Sequence, residues 1–249
     1  MTIEMAPGLA SSADQMQRII AAVRGFMRLP FVSGSVPGGY VEAVVAQSRE
    51  GKVLNTYDFV DVISELELVG WQVKSTKITT PVTWKRAKIP FQQKLINASQ
   101  MGDVVALKEL GDSIITFCND HAKASLEDYG LDAIGYARVI INPETIVYFE
   151  RELITKSRPI LFDKDQFEWQ WTTAKRTFKK EQLPALHGTE LATGKKWFAW
   201  HGLGENQLHF SGEKYWHPLP ASIHRIEVDV PSEGSQITFD EFATWLAEK

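Results

Sequence analysis

Residues 56–77 read TYDFVDVISELELVGWQVKSTK. Thr56 to Ile63 is rich in β-branched and aromatic residues and alternates, Ser64 to Glu67 has turn character, and Leu68 to about Thr76 alternates again. This pattern predicts a β-hairpin. Strand side chains alternate with a period of two, so Gln72 and Lys74 share one face while Val73 points into a core. A hairpin turning near Glu65 sets Asp58 opposite Gln72. One acid, one amide oxygen and one cation then occupy a single patch. Asp61 competes for the acid's place, but on a regular strand it lies on the face opposite Asp58. A β-bulge would exchange the two.

Upstream, Ser12 to about Met27 predicts a helix, with Met16, Ile19, Ile20 and Val23 at helical spacing. A Pro-, Gly- and Ser-rich break, Leu29 to Gly39, leads to a short helix from Tyr40 to about Ser48. That helix carries Glu42, and Gly51 stands where a C-terminal glycine is expected. Downstream, Pro81 to Pro90 reads as a polar, basic connection and Phe91 to Ala98 as a short helix. Asp103 to about Leu126 is a long helix. Strands follow at Ile134 to Ile141 and Thr145 to Arg151, split by Asn142-Pro143. From Phe162 the pattern shifts to short aromatic strands: Phe167 to Thr173, Lys196 to His201 and Gln207 to Phe210. Thr238 and Glu241 form a capping box before a closing helix, Phe239 to Ala247. The expected fold class is α/β: a central mixed β-sheet flanked by helices, with a smaller β-rich C-terminal region. The expected division is 1–158 and 159–249, with a soft boundary near Lys156 to Asp163.

The 249 residues are 44% hydrophobic and 23% charged, as in ordinary globular proteins. Cys118 is the one cysteine, which excludes an intramolecular disulfide and a Cys-rich zinc site. The first ten residues lack the pattern of a signal peptide, and no uncharged apolar run reaches the ~20 residues of a membrane span. A cytoplasmic location without membrane contact is the expectation. Net charge is −4, but its distribution is uneven. Lys74, Lys77, Lys85, Arg86, Lys88 and Lys94 occur with no acid before Met101, and Lys175, Arg176, Lys179 and Lys180 form a second cluster. A polyanion-handling protein needs a local basic face rather than a basic total. The chain has no Walker-type phosphate loop and no Gly-x-Ser-x-Gly elbow. His121, at helical spacing from Phe117, reads as a satisfied helix histidine. His201, His209 and His217 are spaced eight apart, which matches no zinc ligand pattern. Trp169 and Trp171, alternating on one strand, read as core, and Trp216 belongs to the same aromatic-rich third.

Asp58, Gln72 and Lys74 suit phosphodiester hydrolysis. A hard cation such as Mg²⁺ takes oxygen ligands from one or two carboxylates and keeps several waters. It polarises the phosphate and acidifies a bound water, while a lysine stabilises the added negative charge. Asp58 followed by Gln72-Val73-Lys74 resembles the PD-(D/E)XK nuclease superfamily, in its variant with Gln for the second acid, and the resemblance prefers Asp58 over Asp61 because the family's acid usually stands at the start of its strand. Glu42 matches the helix acid that completes such sites. The succession of Glu helix, Asp strand, hairpin and Gln-x-Lys strand, with Ser75-Thr76 after it, is similar to type II restriction endonucleases. The resemblance spans residues 39–77. It departs from the pattern at Tyr57, where Pro usually precedes the acid, and at Gln72, which removes one charge.

The resemblance implies a restriction-endonuclease-like fold and Mg²⁺-dependent, site-specific cleavage of double-stranded DNA. Glu42, Asp58 and Gln72 would hold the metal and Lys74 would act beside them, leaving 5′-phosphate and 3′-hydroxyl ends. Cutting both strands calls for a homodimer or for sequential nicking by a monomer. Lys77, Lys85, Arg86 and Lys88, the last three in a loop-like stretch with Trp84, are candidate phosphate contacts. Asn206 and Gln207, in a polar loop, are candidate base readers. Two other readings stand beside this one: a repair or mismatch endonuclease of the same fold, and a catalytically silent DNA-binding module.

Overall fold

The computed structural model describes residues 5–55, 58–176, 181–212, 224–232 and 234–248. Thr56, Tyr57, Lys179, Lys180, Trp216 and His217, named above, lie outside them. The elements begin α1 (Ala13–Phe26), α2 (Gly38–Ser48), β1 (Lys52–Val53), β2 (Val62–Ser64), β3 (Val69–Lys77), β4 (Val82–Arg86), α3 (Gln92–Gln100) and α4 (Val104–Asp128). They continue β5 (Ala133–Ile141), β6 (Thr145–Thr155), β7 (Phe167–Trp171), β8 (Lys175–Arg176), β9 (Glu181–Gln182) and β10 (Leu186–Glu190). The last are β11 (Lys195–Trp200), β12 (Gln207–Phe210), β13 (Arg225–Asp229) and α5 (Phe239–Ala247). This is an α/β fold with a mixed sheet.

Two compact units interleave along the chain. One comprises Met1–Thr80, Ser125–Ser157 and Pro220–Lys249, the other Pro81–Ala124 and Arg158–Leu219. One crossing falls at 157/158, within the expected boundary, but residues 81–124 and 220–249 do not follow a single cut there.

The first unit holds a six-stranded sheet in the order β1-β2-β3-β5-β6-β13. The β3–β5 pair is parallel and the other pairs are antiparallel. One sheet face, with Val69, Trp71, Val73, Ala133, Ala137 and Val139, shares a core with α1 and α2. α1 contributes Met16, Ile19, Ile20 and Val23, the predicted stripe, and Ser12 with Gln15 forms a reciprocal capping box at its start. α2 contributes Val41 and Val45. Its end differs from the expectation: Glu50 rather than Gly51 takes the left-handed conformation, with φ of 51°. Gly51 matters for space, since a Cβ there would stand 2.5 Å from the Ile63 carbonyl oxygen.

The second unit is built on an antiparallel sheet in the order β4-β12-β11-β10-β7. Half of the stretch from Pro81 to Pro90 is thus a strand rather than a loop. β4 pairs with β12 along Val82 to Arg86, because Val82 and Trp84 alternate into an aromatic core. Trp84 lies 4.0 Å from Phe210 between ring centroids, and Phe162 meets Phe198 edge-on at 5.2 Å. Edge-on and tilted pairs of this kind satisfy the aromatic quadrupoles. Trp169 is buried as expected, and Trp200 donates to the Ala87 carbonyl at 2.8 Å.

On α4, the His121 ring nitrogen Nδ1 bonds the Phe117 carbonyl at 2.9 Å, the satisfied role foreseen for it. Cys118 is buried, and burial pushes its thiol up to about 12. At pH 8 the thiolate, which is the reactive form, is therefore scarce. A disulfide reagent such as DTNB at that pH is expected to label Cys118 only after denaturant unfolds the chain. Stoichiometric labelling of the folded protein within seconds would contradict this.

Candidate active site

The hairpin sets the site. Val62 pairs with Trp71, Ile63 with Gly70 and Ser64 with Val69. Continued by one residue, this register brings Asp61, not Asp58, level with Gln72. The connection occupies Glu65 to Leu68, with Leu68 at φ 52°. Its centre lies about a residue and a half beyond Glu65, and moving the centre of a hairpin moves the facing residue twice as far. The preference for Asp58 is corrected accordingly in geometry. Asp58 sits in an exposed bend before β2 and accepts a hydrogen bond from the Tyr129 hydroxyl at 2.6 Å.

Asp61, rather than Asp58, is the acid in contact with Lys74. Its backbone N–H donates to the Trp71 carbonyl at 2.9 Å. Its Oδ2 accepts from the Val73 N–H and from the Lys74 ammonium, each at 2.8 Å. Both side chains of this ion pair keep about a fifth of their surface exposed, 22% for Asp61 and 18% for Lys74. Glu42, in the first turns of α2, is half-buried. Burial pushes its carboxyl up, the negative charge of Asp61 adds to the rise, and Lys74 opposes it. Glu42, Asp61 and Lys74 thus lie within electrostatic reach of one another, as Glu42 and Lys74 were expected to lie with an acid of the hairpin.

Gln72 is buried at 2% exposure. Its Nε2 donates to the Phe59 carbonyl at 3.2 Å, which fixes which end of the amide is which. Oε1 is buried and has no hydrogen-bond partner among the described residues. An orphaned buried acceptor costs folding free energy unless something binds it. Among the described residues, no three His, Cys, Asp or Glu side chains are grouped to hold a metal. The set here is smaller: two carboxylates, one of them charge-strained, and an amide oxygen. That donor set fits Mg²⁺, which takes few protein oxygens and retains water.

The predicted DNA contacts fall in two places. Lys77 ends β3 in the first unit and is exposed. The other five gather in the second unit, where β4 pairs Arg86 with Gln207 and Lys85 with Leu208. Arg86 and Lys88 are exposed, Lys85 is half-buried, and Arg86 has Glu205 at 3.8 Å. Asn206 is foremost a turn residue. Its φ is 56°, its carbonyl accepts from Ala87 N–H at 2.8 Å, and its Oδ1 accepts from Gln92 Nε2 at 2.9 Å. Gln207 is held between Glu205, at 2.8 Å, and the ring of His209, at 3.3 Å. The rings of His201 and His209 lie 4.7 Å apart between centroids, tilted by 59°, and burial is the main cause that lowers both below the ordinary histidine value.

Comparison with protein-family models, with curated proteins and with solved structures finds no match.

Proposed function

We propose that the protein is a Mg²⁺-dependent endonuclease acting on double-stranded DNA, of the restriction type that the motif resembles. The observation that carries this reading is the convergence of Glu42 and Asp61 with Lys74, on a strand whose same face carries, two residues earlier, Gln72 with its orphaned Oε1. No helix of the described residues is long and apolar enough to cross a membrane, which leaves the reading open.

Glu42, Asp61 and Gln72 would hold the ion. When bound, it supplies Lewis-acid stabilisation of the charge that grows on the phosphate. Lys74 acts from the protein side. Its ammonium, held by Asp61, faces the incoming phosphate, compensates the developing negative charge and orients the attacking water. Water adds to phosphorus, the bond to the 3′ oxygen breaks, and the ends are 5′-phosphate and 3′-hydroxyl. Arg86 and Lys88 supply salt-dependent, sequence-independent contacts to the backbone.

The test is incubation of purified protein with unmethylated phage or plasmid DNA and Mg²⁺, beside EDTA and Lys74→Ala controls. Discrete fragments that vanish in both controls are expected. A smear would leave a nuclease without restriction-type specificity. No cleavage with Mg²⁺ or Mn²⁺, on modified as well as unmodified DNA, would overturn the reading.

A further inference from the structure

Strand β5 is buried along its whole length, yet its sixth residue is Arg138. Arg138 as a residue is 2% exposed. Nη1 donates to the Val139 carbonyl at 2.8 Å and Nη2 to Thr76 Oγ1 at 2.6 Å. Nε is buried and has no partner among the described residues. None of these contacts is a carboxylate. An arginine cannot shed its proton, so a buried one that faces no anion carries its full desolvation cost. Arg49, the other buried arginine, is different: it is paired with Glu67 at 2.8 Å.

The sheet register says what Arg138 lies beside. In the parallel β3–β5 pair, Lys74 faces Arg138 and Gln72 faces Tyr136. Paired residues share a sheet face, so Arg138 lies on the face of Gln72 and Lys74. On β6 the same face carries Arg151, opposite Tyr136. The acids of β6, Glu150 and Glu152, alternate to the other face, where the N–H groups of Ser11 and Ala6 hold them. One side of the sheet next to the candidate site thus collects Lys74, Arg138 and Arg151, and the acid in contact with Lys74, Asp61, lies toward β2.

We propose that Arg138 is a phosphate-binding residue, its guanidinium taking an oxygen of a DNA phosphate next to the position that Lys74 faces. The proposal rests on the endonuclease reading and adds to it a residue outside the motif. Charge-assisted bonds from a guanidinium fork suit phosphate oxygens better than any neutral group does. On this proposal the orphaned Nε and the lack of a carboxylate partner among the described residues leave the guanidinium ready for a phosphate oxygen, and the cost in stability is the counterpart of that function.

The experiment compares wild type with Arg138→Met and Arg138→Lys in EDTA, so that no cleavage intervenes. Melting temperature is read with and without inorganic phosphate, and binding of a fluorescent duplex is read across a salt series. Arg138→Met is expected to melt no lower than wild type, because it removes an unneutralised buried charge. Its duplex affinity should fall about ten- to a hundredfold, and its log K against log salt slope should be shallower by about 0.9. Phosphate should raise the melting temperature of wild type and not that of Arg138→Met. Arg138→Lys should melt like wild type and bind between the two.

A lower melting point for Arg138→Met with unchanged duplex affinity would make Arg138 structural and overturn the proposal. A phosphate response without any change in duplex affinity would mean an adventitious ion only, and would overturn it too. Duplex binding that depends on Arg138 in a protein that never cleaves would sink the endonuclease reading alone. Cleavage and binding indifferent to Arg138 would sink this proposal alone.

Discussion

Asp61→Asn is expected to lower kcat/KM for DNA cleavage by about 10²–10³ or more, the scale on which transition-state electrostatics are lost. Asp58→Asn is expected to cleave nearly as wild type does. The asparagine at 61 is close in shape to aspartate, and its amide oxygen still accepts the Val73 N–H that Oδ2 now holds at 2.8 Å. The hairpin therefore stays folded while two things disappear. The proposed Mg²⁺ ion would lose a charged ligand, and Lys74 loses the carboxylate that positions its ammonium at 2.8 Å. Asp58 offers a contrast, since its carboxylate meets the Tyr129 hydroxyl in an exposed bend. Losing the charge on that exposed bond costs about 0.5–1.5 kcal/mol of stability. The measurement is initial cleavage rate under Mg²⁺ for both variants, with melting curves to show that each is folded. An inactive Asp58→Asn beside an active Asp61→Asn would make Asp58, not Asp61, the acid of the site.

That misplacement shows which parts of the chain local chemistry announces. The Ser12 and Thr238 capping boxes are satisfied within three residues of chain, so the helices they open stand where the sequence puts them. Gln72 and Lys74 share a face because a period of two follows from strand geometry alone. Register is a different kind of fact, because it depends on where a turn closes. Ser64 to Leu68 contains no Gly, Pro, Asn or Asp to mark the spot. The residue that turns left-handed is Leu68, at φ 52°, a type that rarely does so. β4 was hidden for a related reason: only Val82 and Trp84 alternate there, among three cations and two prolines. Arg138 did leave a signal, a lone charge within Ala133 to Ile141, but only its missing counter-ion gives that signal meaning.

Arg49→Met is expected to destabilise the protein by about 3–5 kcal/mol, the range for stranding one partner of a buried ionic group. In a chain of this size that is a melting temperature lower by roughly 6–20 °C. The Arg49 side chain is fully buried, and its guanidinium lies 4.4 Å from the Trp71 ring. It donates to Ser11 Oγ at 2.9 Å, to the Gly8 carbonyl and to Glu67. Ser11 in turn donates its N–H and its hydroxyl to Glu150, at 2.7 and 2.5 Å, and the Tyr148 hydroxyl donates to Glu150 at 2.6 Å. Burial raises Tyr148, the charge of Glu150 raises it further, and Arg49 opposes that rise, so the three groups share one field. Glu67 is a third exposed and can turn to water when Arg49 is gone. Glu150, at 5% exposure, cannot. Most of the loss is therefore the cost of leaving Glu150 charged and buried without a cation nearby. The double variant Arg49→Met/Glu150→Gln should recover part of it, whereas strictly additive losses would show that Ser11 does not couple the two groups. Trp71 and Gln72 are consecutive on β3 and face opposite ways, so Arg49 braces the strand from behind the candidate site. Below its melting transition the Arg49→Met variant should still cleave DNA, which separates a residue that holds the strand from those that work on its other face.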